Sequence, residues 1–168
     1  MLIVIGRRMV TLSAMLLVLA VPARAQDQAK AQTFGDWRIS CDPVGESGEQ
    51  CALTQIVVAE DDEGLWLNAY FFRPPESEES LLLSVLVPLN VILTRRLGLR
   101  IDDGERMQFD FIRCSDAGCL VSISIDDTLL TAFRAGNEAL FDFYFEDEAG
   151  VGMPLSLAGL TAGLEALP

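Results

Sequence analysis

Apolar and polar residues alternate over much of the chain in short segments, a pattern typical of half-buried β-strands. One segment, 81–87 (LLLSVLV), is continuously apolar and predicts a central strand buried on both faces. Pro88 ends it, because proline cannot donate a ladder hydrogen bond, so 90–94 is predicted as an edge or a bend. A turn-rich loop is expected over 42–50 (DPVGESGEQ). The predicted strands are 34–41, 51–59, 65–72, 81–87, 97–101, 107–114, 119–125, 141–145 and 151–155.

Two short helices are predicted among and after the later strands. Asp126 or Asp127 can cap a helix over 128–134 through a side-chain oxygen. Ser156 can cap a second helix over 157–167, whose leucines recur at helical spacing. No long linker or internal repeat interrupts the pattern. The predicted fold is therefore mainly β: a single-domain β-sandwich or barrel-like sheet with two short helices.

The first residues are typical of a secretory signal peptide. Arg7 and Arg8 provide a positive region, an apolar run follows over 9–20, and small residues of the A-x-A type end at Ala25. The apolar run is shorter than the roughly 20 residues that a membrane-spanning helix needs. We therefore expect cleavage after Ala25, export as a soluble protein, and no integral membrane segment in the mature chain. A retained membrane anchor is the less favoured alternative.

This interpretation divides the chain into a signal peptide over 1–25, a flexible N-terminus over 26–33 and a β domain over 34–168. The chain has 12 Lys+Arg against 25 Asp+Glu and no His, a formal net charge of -13. Cleavage removes three arginines and no acid, so the mature chain is more acidic still. Because phosphate contacts need a face of Lys or Arg, nucleic-acid binding is not expected. Without His, the chain lacks the commonest acid/base group at neutral pH and the commonest metal ligand.

All four cysteines lie after the predicted cleavage site. Their spacings, C-x9-C and C-x4-C, differ from the C-x-x-C of redox and zinc sites. An even number of cysteines in an exported chain indicates two disulfides, for which three connectivities exist. We expect the local pairs Cys41–Cys51 and Cys114–Cys119, because each pair flanks a short polar loop between strand-like segments. Reactive-thiol and metal-binding roles are the less favoured alternatives.

Clustered acids are the strongest candidates for catalysis: Asp102, Asp103, Glu105, Asp126, Asp127, Glu146, Asp147 and Glu148. Two carboxyl groups about 5–10 Å apart could hydrolyse a glycosidic bond, and clustered oxygens could hold Ca²⁺, although no EF-hand spacing is present. These acids lie in turn-forming segments, where Asp is favoured for backbone reasons, so we interpret them as structural. Ser84, Ser122, Ser124 and Ser156 have no His partner, and Lys30 lies in the predicted flexible N-terminus. We expect no enzymatic activity and no cofactor.

Several short motifs follow one another along the predicted domain. The first are 34–37 (FGDW), Cys41 and 51–55 (CALTQ). The later ones are 87–89 (VPL), 99–104 (LRIDDG), Cys114, 118–119 (GC), 129–136 (LLTAFRAG) and 154–160 (PLSLAGL). In this order they resemble the invasion-associated locus B family. At 158 and 160 the family tends to have a basic and an aromatic residue, where this chain has Ala and Leu.

That resemblance implies an exported protein of Gram-negative bacteria with a mostly β fold, and the family has no established catalytic residues. Its founding members are linked to entry into host cells. Our first hypothesis is a non-enzymatic protein of the periplasm, with outer-membrane association or secretion as variants. It would bind an unknown protein partner in the envelope or on a host cell.

The alternative hypothesis is a periplasmic carrier of a small apolar ligand or lipid. Trp37, Trp66 and the row Phe141, Phe143 and Phe145 could line the cavity of such a carrier. A packed core is the simpler interpretation of these aromatic residues. The apolar stripe of the second helix could likewise dock a partner, but packing on its own sheet is the favoured interpretation.

Overall fold

In a computed structural model the fold is described for residues 32–168, except 46, 47, 76, 78 and 146–149. The predicted signal peptide and residues 26–31 lie outside this part of the chain. The strands are β1 (Gln32–Phe34), β2 (Trp37–Val44), β3 (Gly48–Val58), β4 (Trp66–Phe72), β5 (Leu81–Val87), β6 (Leu97–Ile101), β7 (Met107–Phe109), β8 (Arg113–Ser115), β9 (Gly118–Ile125), β10 (Glu138–Tyr144) and β11 (Gly150–Ser156). The helices are α1 (Asp127–Ala135) and α2 (Leu160–Ala166), with a 3₁₀ turn over Leu93–Arg95.

The strands form two antiparallel sheets. Seven strands make the larger sheet, in the order β1-β2-β3-β4-β5-β9-β8, and four make the smaller one, in the order β11-β10-β6-β7. One buried cluster of apolar side chains draws on both sheets and both helices, so the sheets are the two layers of a sandwich. The prediction of a mainly β sandwich with two short helices is confirmed. The two sheets do not close into a barrel within the described residues.

β5 is the central strand that the apolar run predicts, since it pairs with β4 on one side and β9 on the other. Leu83, Val85 and Val87 are fully buried in the core between the sheets. On the opposite face Leu82 and Leu86 are only half-buried. The prediction of burial on both faces is therefore wrong for the outer face, because the smaller sheet and the helices pack on the inner one.

Hairpins replace two of the predicted segments. Within the segment 42–50, predicted as a loop, residues 42–44 and 48–50 lengthen β2 and β3 instead, because Cys41 and Cys51 lie directly opposite each other and the pairing continues past them. Residues 34–41, predicted as one strand, turn at Gly35, whose φ of +56° strongly favours glycine. β1 and β2 consequently pair with each other as a tight hairpin.

The segment 107–114, predicted as one strand, is divided between the two sheets. β7 pairs with β6 in the smaller sheet, whereas β8 pairs with β9 in the larger one. The chain crosses between the layers over 110–112. Phe109 and Phe111 both pack against the core on the two sides of Asp110, so the apolar alternation continues through the crossing without a Gly or Pro to mark it.

The two helices differ in how well the sequence predicts their starts. Asp126 is the N-cap of α1, and its carboxylate accepts a hydrogen bond from the Leu129 N–H at 2.8 Å, as predicted. α2 begins at Leu160 instead of 157, because Gly159, with a φ of +88°, precedes it in a left-handed conformation. Ser156 is not its cap: it ends β11.

The first and last parts of the described chain meet between the sheets. Trp37 is fully buried, and its indole N–H donates to the carbonyl of Ser156 at 3.0 Å. The side-chain amide of Gln55 binds the same residue twice: Nε2 donates to the Ser156 carbonyl at 3.1 Å, and Oε1 accepts from the Ser156 N–H at 3.1 Å. These bonds tie β11 of the smaller sheet to β2 and β3 of the larger one.

Two turns approach each other backbone to backbone beside this contact. The N–H of Asp36 donates to the Ala158 carbonyl at 3.1 Å. A Cβ at Gly35 would lie 2.3 Å from that carbonyl oxygen, and one at Gly159 would lie 2.1 Å from the carbonyl oxygen of Phe34. Only glycine permits so close an approach. The FGDW and PLSLAGL motifs are thus the two sides of one contact.

Both predicted disulfides are present and confirm the local pairing. Cys41 is bonded to Cys51 and Cys114 to Cys119, with Cα–Cα distances of 3.9 Å and 4.0 Å. Each bond joins residues that lie directly opposite in neighbouring strands. Because all four cysteines are bonded, none is a free thiol for catalysis or metal binding.

Candidate functional site

The outer face of the larger sheet carries apolar side chains that no described element covers. Side chains alternate along a strand, so residues between the buried ones point away from the core. Ile56 and Val58 are 63% and 49% exposed, although β3 is an interior strand of the sheet. We call this surface the open face, and its apolar residues are Ile56, Val58, Trp66, Tyr70, Phe72, Leu82, Leu86 and Leu120.

Aromatic rings lie along β4 on the open face. The ring centroids of Tyr70 and Phe72 are 5.9 Å apart. At Gly118 a Cβ would come within 3.0 Å of the Trp66 ring and 3.3 Å of the Leu86 side chain. Glycine at this position therefore leaves room for the indole beside Leu86. Such rings provide large contact areas, and having few rotatable bonds they lose little entropy on binding.

Uncharged polar groups cross the middle of the open face. The hydroxyl of Thr54 donates to Oδ1 of Asn68 at 2.9 Å. In the same part of the sheet Tyr70 lies opposite Ser84, and Ser84 lies opposite Ser122. The surface therefore combines apolar rings with hydroxyl and amide groups, which can form hydrogen bonds with a binding partner.

Charged residues are confined to the margins of the open face. No acidic side chain points outward from β3, β4, β5 or β9, although the chain has 25 Asp+Glu. The nearest acids are Asp42, exposed on the outward side of β2 near its end, and those in turns over 60–63 and at Asp116. Arg38 on β2 and Arg113 on β8 are exposed toward opposite edges. This distribution leaves an uncharged surface on a strongly acidic protein.

Asp102, the first of the candidate catalytic acids, is a structural acceptor. Its carboxylate accepts hydrogen bonds from the N–H groups of Asn137 at 3.1 Å and Glu138 at 3.0 Å. These bonds, the one from Glu138 foremost, lower the pKa of Asp102 below its ordinary value of 3.8. The carboxylate thus fastens the turn after β6 to the start of β10. Asp103 and Glu105, in the same turn, are exposed.

Of the other candidate acids, those in the described part of the chain belong to no group of candidate metal ligands. Asp126 and Asp127 begin α1, and residues 146–148 lie outside the described residues. Within the described chain, the one group of three candidate ligands whose atoms lie within 4.8 Å of one another is Glu49 with Cys41 and Cys51. Its two sulfurs are bonded to each other, and the calcium hypothesis gains no support from the turns.

The aromatic residues considered as cavity lining lie mostly in the core. Trp37 and Phe141 are fully buried. The ring centroid of Phe71 lies 5.5 Å from that of Trp37 and 5.4 Å from that of Phe133, so these rings contact one another. Trp66 lies on the open face instead. The carrier hypothesis therefore loses the cavity wall on which it depended.

The second helix packs on its own sheet, as the sequence analysis favours. Leu160 and Leu164 are buried, and a Cβ at Gly163 would lie 2.6 Å from the side chain of Leu53. The open face, in contrast, is absent from the predictions. Its signal in the sequence is the occurrence of Trp, Tyr and Phe at the outward positions of 66–72, where alternation would place polar residues.

These features define a class: a two-layer, disulfide-bonded β protein with one open and uncharged sheet face. The family model described as Invasion associated locus B (IalB) protein matches residues 37–168, and the chain belongs to this family. The crystal structure of invasion associated protein b from Bartonella henselae has a similar fold, with a TM-score of 0.69 and 20% sequence identity over 81% of this chain and 92% of that chain. No curated protein gives a significant match.

The family and the disulfides indicate an extracytoplasmic protein, because disulfides persist in oxidising compartments. The part of the chain that the structure describes contains no helix long and apolar enough to cross a membrane. The resemblance drawn from the motifs is confirmed at the level of the family.

Proposed function

We propose that this chain is exported to the periplasm and acts there without catalysis, by binding an apolar, uncharged surface of another envelope protein through the open face. The observation that carries the proposal is the exposure of Ile56 and Val58 on an interior strand of the sheet. No acid points outward from β3, β4, β5 or β9, although the chain has a net charge of -13. Contiguous exposed apolar patches on soluble proteins mark interaction sites.

The dimensions of the open face suit a protein partner. Neighbouring strands are about 4.8 Å apart, so the six strands from β2 to β8 span roughly 29 Å. A strand of seven residues extends roughly 24 Å at about 3.4 Å per residue. The resulting area of about 700 Å² is close to the roughly 800 Å² that each partner contributes to a standard interface.

The chemistry of the open face restricts the partner. A charged side chain placed against it would lose its water without gaining an ion pair, which costs several kcal/mol. Thr54, Asn68 and Ser122 present polar groups in the middle of the surface, and although Thr54 already donates to Asn68, a hydrocarbon chain would offer no acceptor to the Asn68 amide N–H groups or the Ser122 hydroxyl. A protein surface of mixed apolar and uncharged polar side chains fits better than a lipid.

The proposal is tested by photo-crosslinking in cells that express the chain from its own precursor. Benzoylphenylalanine is placed at position 56, and at 93 as a matched control, since Leu93 is 46% exposed in the 3₁₀ turn. We expect one adduct of discrete mass from position 56 and none from 93. The adduct should disappear with Val58→Glu and persist with Leu89→Glu, because Leu89 lies off the sheet and is similarly exposed at 44%.

Adducts that are equal at both positions, or absent at position 56, would refute a role for the open face. An adduct of twice the chain's mass would show that the partner is a second copy of this chain, and it would contradict the proposal that the partner is a different envelope protein. Lipid attached at position 56 would support the carrier hypothesis instead. Export is measured separately by the mass of the periplasmic product, which is expected to begin at Gln26.

A further inference from the structure

A second surface with different chemistry lies on the outer face of the smaller sheet, on the opposite side of the sandwich. It is a cleft of about 370 Å³ beside β6, β10 and β11. The side chains on this face are Arg100, Arg106, Leu140, Asp142 and Tyr144. Gly150 and Gly152 of β11 complete it. We call it the arginine cleft.

Positive charge is concentrated at the arginine cleft. Arg100 and Arg106 line the cleft, and Arg95 lies over the Tyr144 ring with its guanidinium carbon 4.8 Å from the ring centroid. Asp142 is the one acid among the described lining residues, and it balances the charge of Arg106. The positive charge of Arg100, with that of Arg95 beside it, therefore remains on this face of an acidic protein, and its field attracts small anions.

Glycines leave room for the side chains of Arg106, Asp142 and Tyr144 to lie flat on the sheet. The guanidinium of Arg106 binds both carboxylate oxygens of Asp142, with its Nε donating to Oδ1 at 2.8 Å. A Cβ at Gly98 would lie 2.2 Å from that same oxygen. A Cβ at Gly150 would lie 2.9 Å from the ring of Tyr144. Arg106 is thus held in a fixed orientation by a bidentate pair.

Arg100 differs from Arg106 in having no partner. It is exposed on β6 opposite Leu140 of β10, and it forms no ion pair or hydrogen bond with any described residue. The N–H donors of this guanidinium are therefore available to a ligand, and their planar arrangement matches the oxygens of a carboxylate or a phosphate. The half-buried Leu140 provides an apolar surface beside it.

We propose that the arginine cleft binds a small organic anion, whose carboxylate or phosphate group is held by Arg100 and whose remainder packs on Leu140. The volume of the cleft lies within the usual range of small-molecule sites. The hydroxyl of Tyr144 and the fixed guanidinium of Arg106 provide further donors at its edge. This inference is independent of the open face, which lies on the other sheet.

The test is a titration of the ¹⁵N-labelled mature chain with citrate and, separately, with inorganic phosphate at low ionic strength. We expect saturable shifts of the amide resonances of Gly98, Gly150 and Gly152. Arg100→Gln should weaken binding about tenfold or more, as expected for the loss of a charge-assisted bidentate contact. Arg134→Gln, the same change at an exposed arginine of α1, should alter the affinity less than about twofold, since only the overall charge changes.

A third titration uses vesicles containing phosphatidylglycerol. One outcome is that vesicles bind the wild type but not Arg100→Gln, while the free anions bind too weakly to saturate. That result would show that the anionic group belongs to a lipid headgroup, and the assignment of the binding site to Arg100 would stand. No saturable binding of any probe, or equal losses in the Arg100 and Arg134 variants, would overturn the proposal.

The connection between β10 and β11 carries acids at 146–148, so the titrations are repeated with Glu146→Gln, Asp147→Asn and Glu148→Gln combined. Tighter binding is expected in this variant, because three competing carboxylates are removed. Binding confined to it would contradict the proposal.

Discussion

Replacing Gln55 by Leu tests whether one buried amide holds the two sheets together. Gln55 is 7% exposed and forms two hydrogen bonds with the backbone of Ser156 across the core. Two bonds at a net value of about 1 kcal/mol each give a loss of about 2 kcal/mol. The Ser156 N–H then lacks an acceptor inside the protein, which adds about 1–3 kcal/mol, while its carbonyl still accepts from Trp37.

We therefore expect the free energy of unfolding to fall by about 3–5 kcal/mol, equivalent to a melting temperature roughly 10–15 °C lower for a domain of this size. Urea unfolding of the mature chain measures the change, with an unaltered m-value showing that the transition remains two-state. The matched control is Gln108→Leu at the exposed position of β7, for which a change within about 0.5 kcal/mol is expected. If Gln55→Leu changes stability no more than this control does, the bridge to Ser156 does not hold the sheets together.

Two further changes address the turn contact and the Asp102 carboxylate. Gly159→Ala is expected to cost more than about 2 kcal/mol, because a Cβ there meets the Phe34 carbonyl oxygen. The control is Gly45→Ala, at a φ of +66° with nothing within 4 Å of the added Cβ, which should cost about 1 kcal/mol. Equal losses of unfolding free energy in the two variants, measured in urea, would show that the contact between Gly159 and Phe34 is unimportant. Because folding lowers the pKa of Asp102, its contribution is present above the unfolded pKa near 3.8 and is lost as the pH falls through the lower folded value. The urea midpoints of the wild type and Asp102→Asn should therefore differ at about pH 7 and converge near about pH 2.5, and a constant difference would contradict the assignment.

Local chemistry accounts for what the sequence predicts correctly. Asp126 caps α1 through a bond to a residue three positions away, and each disulfide lies within one hairpin. The start of α2 escapes prediction because it depends on contact between Gly159 and Phe34, far apart in sequence. The crossing at 110–112 is not predicted either, because tertiary packing divides the segment and no turn residue marks the point.

The two candidate surfaces fail to appear in the sequence for a related reason. Outward aromatic residues at 66–72 produce the same pattern as a strand buried on both faces, and only the absence of a described covering layer distinguishes the two cases. The arginine cleft requires β6 to pair with β10, which brings Arg100 opposite Leu140, the apolar residue beside it. Short-range alternation indicates which face of a strand is buried, but it indicates neither the partner strand nor the layer that covers a face.

The contact between Trp37 and Ser156 also governs the order in which an exported chain can mature. Transport delivers the N-terminal strands first, and both disulfide-bonded hairpins can oxidise once their own residues have emerged. The indole N–H of Trp37 has no acceptor until Ser156 of β11 arrives, more than 110 positions later. A chain halted before that point would carry two correct disulfides around an unfinished core. In this family member the oxidation state of the cysteines is therefore no measure of completed folding.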